Sequence, residues 1–162
     1  MKILSLDQST MKTGYAVFDD ANLISHGVVD LHKEKDAWER EQLMRIKIKD
    51  LIKQHRPKVV VLEGVSVKSN PQTVILLGRL QGYIMAAAWD KNADIKIYLP
   101  TEWRKLDHIK QGPRTRKELK EQSIALVFDA YGIRLPEDEA EAIAIGVAYL
   151  KDHGIISDEV KE

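Results

Sequence analysis

Short apolar runs separated by turn residues dominate the start of the chain. Residues 2–7 (KILSLD), 14–19 (GYAVFD) and 23–31 (LISHGVVDL) are rich in aliphatic side chains, with Ser, Thr, Asn and Asp between them. Runs of this length and spacing are typical of strands joined by tight turns. The pattern therefore predicts a meander of three consecutive strands.

The rest of the chain alternates helical patterns with two more apolar runs. Helical periodicity covers residues 36–55, 71–89, 114–131 and 136–151, whereas residues 100–113 show no regular pattern. The run VVVLEG separates the first two helices, and IKIYL separates the second from the third. VVVLEG is apolar at nearly every position, which is typical of a strand covered on both faces in a parallel sheet.

Together these elements predict an α/β protein with the order β-β-β-α-β-α-β-α-α. That order favours a mixed five-stranded sheet, three antiparallel strands followed by parallel strands, flanked by helices. We expect a single domain over residues 1–152 and a frayed tail over residues 153–162. With no cysteine and no apolar run near ~18 residues, we expect a soluble cytoplasmic protein without disulfides or a membrane partner.

Two of the predicted helices have apolar faces that need partners. In the helix over residues 36–55, which Asp36 is expected to cap, one face carries Leu43, Ile46, Leu51 and Ile52. The helix over residues 71–89 is apolar nearly all round, so it needs cover on two sides. The sheet supplies one cover, and the other is either the rest of the core or a second subunit. Gly78 and Gly82 would let two such helices approach closely.

Four carboxylates occur where strands end or a helix begins. Asp7 ends the first apolar run, Glu63 ends VVVLEG, and Asp138 and Glu141 open the last helix. A buried charge at a strand end is costly unless it is paired or binds a cation. Residues three apart share a helix face, so Asp138 and Glu141 can point the same way. If the two strands are neighbours, all four acids meet, and such hard oxygen ligands suit Mg²⁺ or Mn²⁺.

Each acid also has an ordinary structural role. Asp7 can cap a turn, Glu63 can form an ion pair, and Asp138 is favourable at a helix N-terminus. Glu137 stands four residues before Glu141 and is an alternative to Asp138 as a ligand. Their joint placement favours a metal site, in which two ions about 3.5–4 Å apart would activate water and stabilise the leaving oxygen.

Charge is unevenly distributed along a chain whose formal net charge is zero. Residues 96–120 hold eight Lys or Arg and three Asp or Glu, whereas residues 129–162 hold three Lys or Arg and nine Asp or Glu. Zero net charge argues against a simple nucleic-acid binder. A basic segment beside an acidic one is expected where a phosphate backbone is held and cut, although an ordinary mixed-charge surface has the same composition.

The motifs around the acids resemble those of RuvC-type Holliday junction resolvases in the RNase H-like superfamily. The chain has LSLDQSTMKTGYAVF at its first acid, VVVLEG and then LLGRLQG at its second, and DEAEAIAIG at its last. The resemblance implies an RNase H-like fold and a homodimeric nuclease that cuts branched DNA such as Holliday junctions. It implies Asp7, Glu63, Asp138 and Glu141 as catalytic and metal-binding acids, holding two Mg²⁺ ions that Mn²⁺ can replace.

The chain also departs from the family pattern. Glu141 stands where the last motif has a second Asp, and DQST replaces the usual D-P-G. Val65-Ser66-Val67 follows the second acid, where the family has an aromatic residue for junction bases. The departures are typical of a divergent member, which a phage could encode. They leave the branch preference open, so a nuclease acting on flaps or RNA stays an alternative.

Basic residues before and at the start of the third long helix are the candidates for DNA contact. They are Lys105, Lys110, Arg114, Arg116 and Lys117. Cations and backbone N–H groups at a helix start can hold phosphate, although each residue can equally be an ordinary solvated side chain. In the resemblance, the region around Lys105 and Lys117 carries lysines that contact DNA. Trp103 is either a half-buried core residue or a platform for stacking on a base.

Two functions outside the nucleases remain open from the sequence. LSLDQST followed by Gly14 also resembles the phosphate loop of actin-like sugar kinases, but those proteins enclose ATP between two such domains. A chain of 162 residues has room for one of them. A DNA-binding scaffold without catalysis would share the nuclease fold, and the retained acids argue against it.

Overall fold

Ten strands and helices follow one another in residues 1–158, the part of the chain that the computed structural model describes. The strands are β1 (Lys2–Asp7), β2 (Lys12–Asp19), β3 (Asn22–Asp30), β4 (Val59–Glu63) and β5 (Asp94–Tyr98). The helices are α1 (Ala37–His55), α2 (Pro71–Asp90), α3 (Pro100–Leu106), α4 (Arg116–Tyr131) and α5 (Glu137–Asp152). None of these helices combines the length and the apolar character that crossing a membrane requires.

The strands form a mixed sheet in the order β3-β2-β1-β4-β5. β1, β2 and β3 pair antiparallel, whereas β4 runs parallel to both β1 and β5. The predicted sheet, three antiparallel strands followed by parallel ones, is confirmed. Because β1 and β4 are parallel neighbours at the centre, their carboxyl ends meet at the same edge of the sheet.

The helices cover the two faces of the sheet unequally. α3, α4 and α5 share one core with the sheet, and α1 and α2 share the other. α5 is the helix enclosed on all sides, since residues 140–150 are all buried. It packs closely because Gly146 has no side chain, which would otherwise collide with Phe18 and Ser5. α2 buries only Leu80, Ile84 and Ala88, so it is not the central core helix.

The buried face of α1 differs from the predicted one. The residues that it buries are Glu41, Met44, Ile48 and Ile52. Leu43 and Ile46 are exposed instead. The reason is a tertiary contact, since the buried carboxylate of Glu41 pairs with the guanidinium of Arg79 on α2 at 2.7 Å. The predicted cap is confirmed, because the Asp36 carboxylate accepts a hydrogen bond from the first turn at 2.9 Å.

α3 lies in a segment that was predicted to be irregular. Pro100 occupies the start of the helix, where a missing N–H costs nothing. The Glu102 carboxylate accepts a hydrogen bond from the N–H of Leu99 at 2.7 Å. Trp103 anchors the helix, because its side chain is fully buried in the core. The helix has only seven residues, about two turns, which is too short to show a hydrophobic period in the sequence.

The chain after α5 continues in contact with the core. Ile155 and Ile156 pack against it, and their N–H groups donate to the carbonyl of Leu150 at 2.8 and 3.3 Å. The Asp158 carboxylate lies 2.8 Å from the imidazole of His108. Of the tail predicted to fray, residues 159–162 lie outside the described residues.

Candidate active site

Two of the predicted acids stand at the ends of neighbouring strands. Asp7 is the last residue of β1 and Glu63 the last of β4. The two strands pair in register up to Leu6 and Leu62. Beyond that pair the Gln8 side chain joins the strand ends, because its amide contacts the backbone carbonyl of Glu63 at 2.5 Å. The fold therefore places both carboxylates at one edge of the sheet.

The other two predicted acids come from the first turns of α5. Gly14 lies opposite Asp7 in the β1–β2 pair, and a side chain there would collide with the backbone of Asp138. Glycine thus lets the start of α5 approach the strand end. The Ser5 hydroxyl ties α5 to β1, since it donates to the carbonyl of Ala142 at 2.6 Å. These contacts hold Asp138 and Glu141 beside Asp7.

The neighbouring acids of α5 are engaged elsewhere. The Glu137 carboxylate accepts a hydrogen bond from the ammonium of Lys120 at 2.6 Å. The Glu139 carboxylate lies 2.7 Å from the imidazole of His26 on β3. Asp138, in contrast, lines the same cavity as Asp7. This arrangement favours Asp138 over Glu137 as the ligand and keeps Glu139 outside the site.

One cavity of about 600 Å³ brings the four acids together. Cationic side chains line it as well: they are Lys12, Arg104, Arg116 and Lys120. Arg104 places its Nε in the interior without a hydrogen-bond partner among the described residues. A cavity lined by both acids and cations has the charges needed to hold a phosphodiester next to a divalent cation.

Burial and mutual repulsion make the acids reluctant to ionise. Burial, followed by the charges of Glu141, Glu63 and Asp138, raises the pKa of Asp7 well above its usual range. Burial and then Glu63 raise the pKa of Glu141. Burial also raises the pKa of Glu63, which the Trp103 indole and nearby arginines lower in part. The pKa of Asp138 rises through burial and the charge of Glu137.

The donor set fits a hard divalent cation. All four predicted ligands offer carboxylate oxygens, which Mg²⁺ and Mn²⁺ prefer. Oε1 of Glu141 is buried and has no hydrogen-bond partner within residues 1–158. The charge of Glu141 helps to raise the pKa of Asp7, and a bound cation would relieve this repulsion. Among the described residues, no three acidic or imidazole groups already lie close enough together to bind a metal ion. We therefore expect side-chain rotation to accompany metal binding.

We expect these raised pKa values to make the protein less stable as pH rises in EDTA. A carboxyl whose folded pKa exceeds its unfolded value stabilises the fold below the unfolded pKa, and this contribution is lost as pH rises through the folded pKa. The free energy of unfolding should therefore fall between about pH 4, the ordinary carboxyl range, and neutrality. In urea titrations Asp7→Asn should flatten this fall, and Mg²⁺ should reverse it in the unaltered protein. Identical pH profiles for the two proteins would contradict the prediction.

The predicted DNA-binding residues do not lie together. Arg116, at the start of α4, lines the acidic cavity. Lys105 lines a different cavity, beside Tyr98 and Asp152 at the edge of β5. The rest of the set is exposed, and comprises Lys110, Arg114 and Lys117. Their contact with DNA stays a prediction.

Reasoning from the sequence missed Arg104, whereas the core position considered for Trp103 is confirmed. Arg104 points into the acidic cavity, whereas Lys105 next to it does not. Trp103 is fully buried, so it has no face for a base, and its indole N–H donates to Oε2 of Glu63 at 2.7 Å. The sequence signal for this site was the run TEWRK after Pro100, because Pro100 marks a helix start. In that helix Trp103 is buried and Arg104 faces the cavity.

Sequence comparisons match nearly the whole chain to one family. Residues 3–149 match the family described as crossover junction endodeoxyribonuclease RuvC. The RuvC protein of Fusobacterium nucleatum is 25% identical over 158 residues, which cover 95% of this chain and 82% of that protein. The RuvC protein of Hydrogenovibrio crunogenus is 31% identical over 123 residues, which cover 74% of this chain and 70% of that protein.

Solved structures share the fold. RuvC of T. thermophilus, determined in complex with a Holliday junction substrate, superposes with a TM-score of 0.76 at 18% identity and covers 95% of this chain and 96% of its own. The Fowlpox virus resolvase, determined with Holliday junction DNA, has a TM-score of 0.64 at 20% identity, with coverage of 94% and 99%. The family match extends over nearly the whole chain, and the chain therefore belongs to the RuvC family of crossover junction endodeoxyribonucleases.

Proposed function

We propose that this nuclease cuts phosphodiester bonds in branched DNA such as Holliday junctions, and that it needs Mg²⁺. The observation that carries the proposal is that four acids from β1, β4 and α5 line one cavity, which cations also line. Membership of the RuvC family supports the same substrate class. A DNA substrate also suits the cytoplasmic location predicted from the sequence.

Asp7, Glu63, Asp138 and Glu141 would hold two Mg²⁺ ions, which Mn²⁺ can replace. Bound there, the metal supplies a nucleophilic hydroxide and neutralises charge on the leaving oxygen. The charges of the other three carboxylates all raise the pKa of Asp7, so its ionised form gains most from a bound cation. The buried, unpaired Oε1 of Glu141 offers a further ligand atom.

The cations on the cavity wall would hold the DNA backbone against the acids. Arg104 and Arg116 partly offset the tendency of burial to raise the pKa of Glu63, which places their charges near that carboxylate. Guanidinium groups bind phosphate oxygens through paired hydrogen bonds. We expect these two arginines to contact the phosphate that is cut, and the more distant exposed cations to contact its neighbours.

Cleavage of defined DNA shapes tests the function. Labelled four-way, three-way, flap and linear duplexes of the same sequence would be incubated with the protein in Mg²⁺, and the cuts mapped. We expect cuts in the four-way junction, near its branch point and on two strands of like polarity, and little cutting of linear duplex. Equal cutting of all shapes, or cutting that persists in EDTA, would overturn the proposal.

The exposed cations around the start of α4 should set affinity for all DNA shapes alike. Changing Arg114, Arg116 and Lys117 together to Ala should weaken junction binding and flatten the plot of log affinity against log salt. The expected loss of slope is up to ~0.9 per phosphate contact on duplex DNA. Binding would be measured in Ca²⁺, which limits cleavage.

A control with the same change in charge separates local contact from net charge. Lys47, Lys49 and Lys53 are exposed on α1, against the opposite face of the sheet. Changing these three to Ala should leave the salt slope nearly unchanged. If both triple variants lose the same slope, the phosphate contacts are not localised at α4.

We also propose that the protein is a homodimer that pairs through α2. The exposed side of α2 carries Ile75 and Trp89, which are 58% and 81% exposed. Each of them lies seven residues from Gly82 in the sequence. A Cβ atom added at Gly78 or Gly82 would have no neighbouring atom within 4 Å. Two antiparallel copies crossing at Gly82 would lay Trp89 of each subunit against Ile75 of the other. Two subunits also supply two sites for two symmetric cuts.

Gly78→Arg should convert the dimer to a monomer and weaken junction cutting. Arginine adds bulk and charge to the proposed contact, while the open space around Gly78 leaves the fold of the subunit intact. Ile24→Arg, an exposed apolar position on β3, is the matched control and should stay dimeric. Light scattering measures both, and an unaltered protein that is monomeric at micromolar concentration would exclude the α2 dimer. Leu77 is a poorer target, because it also lines the acidic cavity.

A further inference from the structure

Glu63 is held at its backbone by a side chain from the neighbouring strand. The carboxamide of Gln8 donates from Nε2 to the carbonyl of Glu63 at 2.5 Å, and its Oε1 accepts from the N–H of Glu63 at 3.4 Å. Gln8 is buried, and it lines the acidic cavity together with Glu63. The side chain thereby extends the β1–β4 hydrogen bonding one step beyond the last paired residues and limits movement of the Glu63 backbone.

The carboxylate of Glu63 is held separately, from α3. The indole N–H of Trp103 donates to Oε2 of Glu63 at 2.7 Å. Trp103 is fully buried, and the guanidinium of Arg104 lies over its ring at 5.1 Å. The indole therefore has no alternative position, and its single donor is aimed at one oxygen. Among the described residues no donor reaches the other oxygen, Oε1, while Glu63 lines the acidic cavity.

We infer that Gln8 and Trp103 are positioning residues that present Glu63 to a divalent cation through Oε1 alone. The inference rests on the proposed metal-dependent function. Mg²⁺ demands near-ideal octahedral geometry with single oxygens, whereas Ca²⁺ also accepts carboxylates through both oxygens in looser geometry. A carboxylate with Oε2 committed to an indole N–H suits Mg²⁺ and disfavours two-oxygen binding. Trp103 should therefore contribute both to the affinity for Mg²⁺ and to the preference for Mg²⁺ over Ca²⁺.

Metal titration without DNA tests this role directly. Isothermal titration calorimetry with MgCl₂ and, separately, CaCl₂ would compare the unaltered protein with Trp103→Phe. A second variant carries benzothienylalanine at position 103, which keeps the shape of the ring and replaces the N–H by sulfur. Gln8→Met tests the backbone contact with a side chain of similar length. Tyr98→Phe is the control, because Tyr98 stands opposite Glu63 in the β4–β5 pair, and the change removes a hydroxyl that bonds Asp152 at 2.6 Å and none of the four acids.

We expect both Trp103 variants to weaken Mg²⁺ binding about 10- to 100-fold, the usual effect of losing a hydrogen bond to a metal ligand, with a smaller effect on Ca²⁺. Cleavage by these variants should recover at high Mg²⁺, and Gln8→Met should behave likewise to a lesser degree. Unchanged Mg²⁺ affinity in the benzothienylalanine protein, or equal losses for Mg²⁺ and Ca²⁺, would overturn the inference. Failure of the proposed function itself would show differently, as an unaltered protein that binds Mg²⁺ no better than Asp7→Asn.

Discussion

Asp7→Asn should lower junction cleavage by at least about a hundredfold, more than the loss of an outer hydrogen bond to a metal ligand costs. Asn keeps the size of the side chain but removes the charge that would attract the cation. The fold should survive, because burial and three neighbouring acids raise the pKa of Asp7. Without metal, the ionised form of Asp7 therefore destabilises the folded protein. Single-turnover rates on a labelled four-way junction in Mg²⁺ measure the effect.

Asp50→Asn is the matched control for this change. Asp50 is an exposed residue of α1, and α1 packs against the face of the sheet opposite α5. The control should cut at the rate of the unaltered protein. Junction affinity of Asp7→Asn, measured in EDTA, should be equal to or higher than that of the unaltered protein, since a negative charge near phosphate has been removed. A rate for Asp7→Asn close to that of Asp50→Asn would remove Asp7 from the metal site.

Asp138→Asn and Glu141→Gln should each lower cleavage about a hundredfold or more, whereas Glu137→Gln and Glu139→Gln should cost no more than roughly tenfold. Asp138 and Glu141 line the cavity with Asp7. Glu137 is paired with Lys120, and Glu139 contacts His26. These two contacts brace the start of α5, so their loss should loosen the site without removing a ligand.

The four variants differ only in which carboxylate of one helical turn becomes an amide, so each controls for the others. Unfolding in urea should show that all four remain folded. Loss of cleavage in Glu137→Gln together with normal cutting by Asp138→Asn would mean that the helix presents the other register to the metal.

Strand ends made the positions of the acids predictable. The runs KILSLD and VVVLEG each end in an acid, and parallel neighbours bring such ends together at one edge. The pairing of the two strands followed from topology rules and needed no side-chain detail. Preferring Asp138 to Glu137 as the expected ligand needed the structure, because the preference depends on the bond between Glu137 and Lys120, a residue of another helix.

Three features of the structure depend on tertiary contacts that local sequence patterns do not show. Arg104 and Lys105 are adjacent cations, and only the orientation of the short helix α3 selects Arg104 for the cavity. α2 and α5 are both rich in apolar residues, and the close approach at Gly146 makes α5 the enclosed helix. The face of α1 likewise follows the buried pair of Glu41 and Arg79, which hydrophobic periodicity does not register.

Anomalous diffraction from crystals grown with Mn²⁺ would show whether the four acids hold a metal, because it locates the metal without relying on activity. We expect anomalous peaks in the acidic cavity, within coordination distance of Asp7, Glu63, Asp138 and Glu141. In Asp7→Asn crystals grown under the same conditions these peaks should be lost or markedly weakened. Peaks confined to other parts of the surface, or peaks of equal height in the cavity of both proteins, would exclude a metal site at these acids.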